Sequence, residues 1–223
     1  MTKVLIATTA YSGSVTVEYM VSLAETVALG LANDVYFTPL SAPGLCLVQH
    51  ARDGMTKTFL DSDFDHILWI DEDVAWDAKD AIDVIRRPED VVGIALPRKI
   101  AEDAYAIRPP SDDGGRIVWS EDNQVFKVDG LATGFLKTSR ACLQKMYDAA
   151  SPYTFSDGSE HKAVFEMKIV GGVFWGEDYL FCQRWRDTGG DVWLYPWADL
   201  RHVGKKVWQG SYVSWLNSNG KNE

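Results

Sequence analysis

Two hydrophobic rhythms alternate over the first 97 residues. Residues 3–9 (KVLIATT) are a short apolar run ending at Tyr11-Ser12-Gly13, which predicts a buried strand and then a loop. Ser14 is placed to cap a helix over about 15–31, with Met20, Leu23, Ala24, Val27 and Leu31 on one face. DVYFTPL (34–40) reads as a second strand stopped by SAPG, and residues 46–61 return to helical spacing at Val48, Ala51, Met55 and Phe59. HILWI (66–70) is a third strand, AKDAIDVIRR (78–87) a helix halted by Pro88, and DVVGIALP (90–97) a fourth strand. Strands alternating with helices predict a mostly parallel α/β sheet flanked by helices. Ligands of such sheets lie beyond the carboxyl ends of the strands, so the loops after the first and third strands share a crevice.

The rhythm changes after Pro97. YAIRPP, GRIVWS and QVFKV read as short strands separated by SDDGG and SEDN turns, predicting a smaller antiparallel patch in the C-terminal half. GLATGFLKTS (130–139) is a glycine-punctuated strand before a helix at about 140–150. Residues 151–162 lack periodicity and read as a polar loop suited to a mobile lid. AVFEMKIVGG is a strand, EDYLFCQRWRD (177–187) a helix stopped by Gly189 and Gly190, and DVWLYP and ADLRHVG are final extended segments. Without a repeat or linker, residues 1–223 are expected to form one domain.

A net charge of −10 argues against a nucleic-acid surface, which needs clustered lysine and arginine. Three cysteines without CxxC spacing read as free thiols in a reducing compartment. The first apolar run is too short for a signal peptide, and none approaches the roughly 20 residues of a membrane span. The expectation is a soluble, cytoplasmic protein with no integral membrane segment.

The third strand runs straight into Asp71-Glu72-Asp73 before apolar residues resume at Val74. Burying such a cluster costs several kcal/mol per charge unless something positive compensates. Strand alternation would turn Asp71 and Asp73 to one side, toward a shared hard cation, and Glu72 to the other, making Glu72→Gln far milder than Asp73→Asn. The competing reading is a solvated acidic turn that caps the next helix. Glu177 and Asp178 open a helix, where they serve either its dipole or general-base chemistry. His202, before a glycine turn, is a structural histidine or a further metal ligand, and Lys205 and Lys206 are phosphate-neutralising or plain surface lysines. Arg52, midway along the second helix, is an exposed helix arginine, a nucleotide contact or a partner of the acidic cluster.

In this order these residues resemble the GT-A glycosyltransferases. KVLIATTAYSG is similar to their first strand and nucleotide loop, and ARDGMTKTFLDSDFDHILWIDEDV to the unit leading into their Asp-X-Asp motif. VDGLATGFLKTSR resembles the acceptor-side strand, GEDYLFCQRWRDTGGDVWLYP the Glu-Asp helix of inverting members, and RHVG their late histidine. Thr9-Ala10 stands where many relatives carry a proline, and the closest likeness is to compact bacterial and viral members. The resemblance implies a Rossmann-like fold, with residues 1–97 binding nucleotide and 98–223 forming the acceptor and catalytic half. It implies a nucleotide-diphosphate sugar as donor (UDP first, GDP second), Mn²⁺ or Mg²⁺, and a glycan or other hydroxyl acceptor. Asp71, Asp73 and His202 would hold the metal, and Asp178 would deprotonate the acceptor. Thr8, Ala10, Tyr11, Arg52, Asp71 and Glu72 would contact the nucleotide. Trp175, Phe174, Tyr153 and Phe155 flank the implied base and lid, as sugar-stacking or core aromatics.

Three rivals differ in chemistry. An Asp-X-Asp phosphatase would want Thr or Val at position 75, which is alanine, and its motif on the first strand. A sugar nucleotidyltransferase would want a glycine-rich phosphate loop after the first strand, which is missing. A non-catalytic sugar-nucleotide or glycan-binding module would keep the fold and lose turnover.

Overall fold

The computed structural model describes residues 1–100, 104–111, 116–122, 124–155, 158–204 and 206–219. In chain order the elements begin β1 (Thr2–Ala10), α1 (Val17–Leu31), β2 (Val35–Pro43), α2 (Val48–Leu60), β3 (His66–Ile70), β4 (Val74–Ala75) and α3 (Ala78–Arg86). They continue β5 (Val91–Gly93), β6 (Leu96–Pro97), β7 (Tyr105–Arg108), β8 (Phe126–Val128), β9 (Gly130–Leu131), β10 (Phe135–Ser139) and α4 (Arg140–Ala149). The rest are β11 (Pro152–Thr154), β12 (Glu160–Lys162), β13 (Lys168–Val170), β14 (Val173–Trp175), α5 (Glu177–Asp187), β15 (Val192–Leu194), β16 (Arg201–Val203), β17 (Val207–Gln209) and α6 (Tyr212–Asn219).

Seven strands form a central sheet in the order β2-β1-β3-β10-β5-β15-β8. Pairings β1–β2, β1–β3 and β5–β15 are parallel, whereas β3–β10, β10–β5 and β15–β8 are antiparallel. The four small sheets are antiparallel throughout. The chain is therefore α/β with a mixed sheet, and the expected mostly parallel order is corrected. The cause is β10, which inserts between β3 and β5 instead of joining a separate patch. β8 likewise caps the far edge of the main sheet.

Side-chain alternation sends each strand into two cores. Leu5, Ala7, Ile67 and Trp69 face a cluster with Met55, Phe59, Leu143, Phe165 and Phe181 beneath α2, α4 and α5. Val4, Ile6, Leu68 and Ile70 face the opposite cluster, with Tyr19 of α1, Trp76 after β4, and Ile82 and Ile85 of α3.

Several boundaries differ from expectation. Thr16, not Ser14, caps α1, and the buried face is Tyr19, Ser22, Thr26 and Gly30, while Met20 and Leu31 are exposed. That polar face exists because Trp76 needs partners. Ser22 Oγ donates to Trp76 O at 2.7 Å and accepts from Trp76 N at 3.0 Å, and Trp76 Nε1 donates to Thr26 Oγ1 at 2.8 Å. The expected lid is a hairpin, β11–β12, and the segment ending in Gly171-Gly172 is another, β13–β14. GRIVWS contributes only a bridge from Trp119 to Phe126. Parts of the expected turns and lid (112–115, 123 and 156–157) and Lys205 lie outside the described residues. No helix among the described residues is long and apolar enough to cross a membrane.

Ser22→Ala strands the N–H and C=O of Trp76 inside the core. An orphaned buried polar group costs about 1–3 kcal/mol, so urea unfolding of this variant is expected to lose about 2–4 kcal/mol at unchanged m.

Candidate active site

A cavity of about 330 Å³ opens at the carboxyl ends of β1, β2 and β3. The strand ends supply Thr9 and Tyr11, Leu45 and Cys46, and Asp71, Glu72 and Asp73. Val48, Arg52, Glu177 and His202 complete the wall. The crevice thus lies where three adjacent parallel strands end.

The acidic residues are held in a turn. β3 stops at Ile70, Asp71 N donates to Gly134 O at 3.3 Å, and Val74 N closes onto Asp71 O at 3.1 Å. Gly134 is required by close approach: a Cβ there would lie 2.6 Å from Leu96 Cδ2 and 3.1 Å from Asp71 Oδ2. Because these residues turn, strand alternation does not govern them. Glu72 lines the cavity with its neighbours, contrary to the expectation that it faces away. Its carbonyl accepts from Thr16 N at 3.0 Å, tying the turn to the start of α1.

Each flanking aspartate has a cation. Arg52, whose side chain is 5 % exposed, donates to Asp71 Oδ1 at 3.3 Å and to Glu177 Oε1 at 2.5 Å. The arginine is thus not an exposed helix residue: it bridges the acidic turn to the start of α5. Losing one partner of such a buried pair costs about 3–5 kcal/mol. Asp73 Oδ2 pairs with Lys99, and its Oδ1 lies 3.2 Å from His202 Nε2. His202 Nδ1 faces Pro97 O at 2.8 Å, and a carbonyl only accepts, so Nδ1 carries a proton and Nε2 is turned to Asp73. Pairing of β16 with β4 sets His202 opposite Val74.

The carboxylates titrate apart. Burial raises Asp71 above the usual range despite Arg52, and the charge of Asp73 adds to this. Burial also acts on Asp73, but the hydrogen bonds from His202 and Lys99 outweigh it and hold the group low. Burial, then the neighbouring Glu177, raises Asp178 to about 6. Asp178 Oδ1 accepts from Tyr179 N at 2.7 Å.

Asp71, Asp73, His202, Arg52, Tyr11 and Glu72 therefore converge on one cavity. Thr8 and Ala10 do not: both are buried, and Thr8 Oγ1 bonds Tyr19 Oη at 2.5 Å, while Thr9 takes the cavity side. Asp178 sits beside the wall; Glu177 forms it. The donor types of Asp71, Asp73 and His202 suit a hard cation. As placed they do not fit one, because Lys99 and His202 occupy both oxygens of Asp73. Among the described residues, no group of three or more His, Cys, Asp or Glu is arranged to hold a metal.

Two participants carried no local sequence signal. Lys99 follows a strand without a motif, and Asp53 is hidden by its neighbour. Asp53 points away from Arg52 and accepts from Phe165 N and Tyr153 Oη, each at 2.8 Å. It fastens α2 to the hairpin expected as a lid, where Tyr153, Phe155, His50 and His161 stack on one another.

No family model matches the chain, and no curated protein does. Among solved structures, A197 from STIV is similar, with a TM-score of 0.55 and 19 % identity over 92 % of this chain and 87 % of that one. This likeness concerns the fold alone.

Burial raises Asp53 to about 7, with the bonds from Phe165 and Tyr153 only partly offsetting it. A carboxyl raised in the folded state stabilises fully below its unfolded value near 4 and loses that contribution as pH rises through about 7. Asp53→Asn removes the titration. Its urea-derived stability is expected to fall less than wild type's between pH 4 and 7, by up to about 4 kcal/mol; parallel curves would show that Asp53 does not titrate there.

Proposed function

We propose that the protein transfers a sugar from a nucleotide-diphosphate donor to a hydroxyl acceptor. The observation that carries this reading is the Arg52 bridge, which joins Asp71 at the strand ends to Glu177 on the helix that also bears Asp178. A leaving diphosphate and an incoming hydroxyl need this pairing of elements: cations at one side of a crevice and a proton acceptor at the other.

Arg52 and Lys99 are the chain's own charges for the departing nucleoside diphosphate, whose negative charge builds as the glycosidic bond breaks. Tyr11, exposed at the cavity rim, suits stacking on a base or ribose. Asp178, raised to about 6, is mostly ionised at pH 7 yet basic enough to take a hydroxyl proton. In-line attack from its side inverts the anomeric carbon. Mn²⁺ or Mg²⁺ would be held by Asp71, Asp73 and His202 only if both Lys99 and His202 gave up their contacts to Asp73, and would then supply further charge neutralisation.

Thermal unfolding with UDP, GDP, CDP and dTDP sugars, each with and without Mn²⁺, tests the reading. One nucleotide class is expected to raise Tm, by about 2.7 kcal/mol of linkage at a hundredfold excess over Kd. Asp178→Asn is expected to keep that shift and lose at least about 100-fold in release of nucleoside diphosphate. No shift with any nucleotide defeats the proposal. A shift without release under any acceptor identifies a binding module instead.

A further inference from the structure

The residues that flank Asp178 in the chain take part in a second arrangement that the proposed chemistry does not use. Arg108, at the end of β7, sets its guanidinium carbon 3.9 Å from the centre of the Trp175 ring and 4.9 Å from that of Tyr179. Trp175 ends the hairpin that leads directly into Glu177-Asp178, and Tyr179 follows Asp178 on α5. The backbone makes room for this stack. A Cβ on Gly130, which pairs with Arg108 in the β7–β9 ladder, would lie 3.0 Å from Tyr179 Cδ1 and 3.8 Å from Arg108 Cβ. The three side chains are half-buried, so the platform is reachable from solvent.

Arg108 stands out for what it lacks. Arg52, Arg87, Arg184 and Arg186 each pair with a carboxylate. The Arg108 guanidinium makes no ion pair or hydrogen bond to any described residue, in a chain with ten more acidic than basic groups. The charges of Arg108 and of exposed Arg98 both act on the Tyr179 phenol, next in the chain to Asp178. Aromatic rings hold a guanidinium by its π face and leave its N–H edge open, the geometry that receives a carboxylate or phosphate through two parallel hydrogen bonds.

We propose that Trp175, Tyr179 and Arg108 form an acceptor subsite that recognises an oxyanion, carboxylate or phosphate, on the molecule receiving the sugar. The sugar ring lies against the aromatic faces, the anionic group meets the Arg108 edge, and a hydroxyl is left beside Asp178. This rests on the glycosyl-transfer reading for its purpose but not for its test, because binding is measured without turnover.

The probes are methyl β-glucuronide, glucose 1-phosphate and neutral methyl β-glucoside. They are titrated into the whole protein, alone and with UDP and Mn²⁺, while the tryptophan indole N–H NMR signals are followed. Trp175→Phe identifies the reporting signal. At least one anionic probe is expected to shift the Trp175 signal saturably, binding about tenfold or more tighter than the glucoside, as a charge-assisted pair gives. The uronide and phosphate arms show which anion is preferred. Arg108→Gln is expected to abolish the preference with Tm unchanged; if it fails to fold, Arg108→Lys keeps the charge, loses the fork and is expected to weaken it. Equal affinity for the glucoside, a preference surviving loss of the arginine fork, or no shift of Trp175 by any probe overturns the subsite. A subsite that binds while no nucleotide raises Tm overturns only the glycosyl-transfer reading.

Discussion

Three consecutive carboxylates at the end of a fully buried strand cannot be stable without positive charge. Side chains from before and after the turn along the chain supply it. Arg52 comes from α2, 19 residues before Asp71, Lys99 from the segment after β6, 26 residues beyond Asp73, and His202 from β16, far downstream of the turn they contact. Each of these contacts fixes the position of the element that carries it. Arg52 also reaches Glu177, so the charge balance of the turn sets where α5 begins and hence where Asp178 lies.

The same logic explains the position of α2. Its consecutive residues Arg52 and Asp53 serve opposite sides: the arginine neutralises the cavity, while the aspartate anchors the β11–β12 hairpin and Phe165. Both side chains are nearly inaccessible, so water and salt screen their interactions less than those of surface pairs. The cavity, the hairpin and the start of α5 are therefore joined through one helix. Any movement of α2 must be felt at each of them.

Much of the first half was legible because its signals are local. Apolar runs such as KVLIATT and HILWI, and the glycine stops after α5, placed elements within a few residues. Sheet order was not legible: FLKTS announces a strand but not its direction or its neighbours, and its insertion beside β3 depends on contacts some seventy residues apart. The polar face of α1 misled for a related reason, since Ser22 and Thr26 are buried to satisfy Trp76. At the site, the acidic turn was found by its sheer density. Its internal geometry differs from expectation because strand alternation stops at Ile70, and of Thr8, Ala10 and Tyr11, the first-strand residues that the resemblance implies at the nucleotide, only Tyr11 lines the cavity, beside Thr9. Lys99 and Arg108 were invisible, being single basic residues whose meaning comes only from distant partners.

Cys46 offers the most direct test of whether the crevice receives a nucleotide. It lines the cavity and is exposed, whereas Cys142 and Cys182 are fully buried, so a thiol reagent reports on this site selectively. The rate of Cys46 alkylation should be measured against rising concentrations of UDP, GDP, CDP and dTDP, with and without Mn²⁺. The account predicts saturable protection by at least one of these nucleotides and loss of that protection in Arg52→Met. An alkylation rate unchanged by every nucleotide up to millimolar concentration would contradict it.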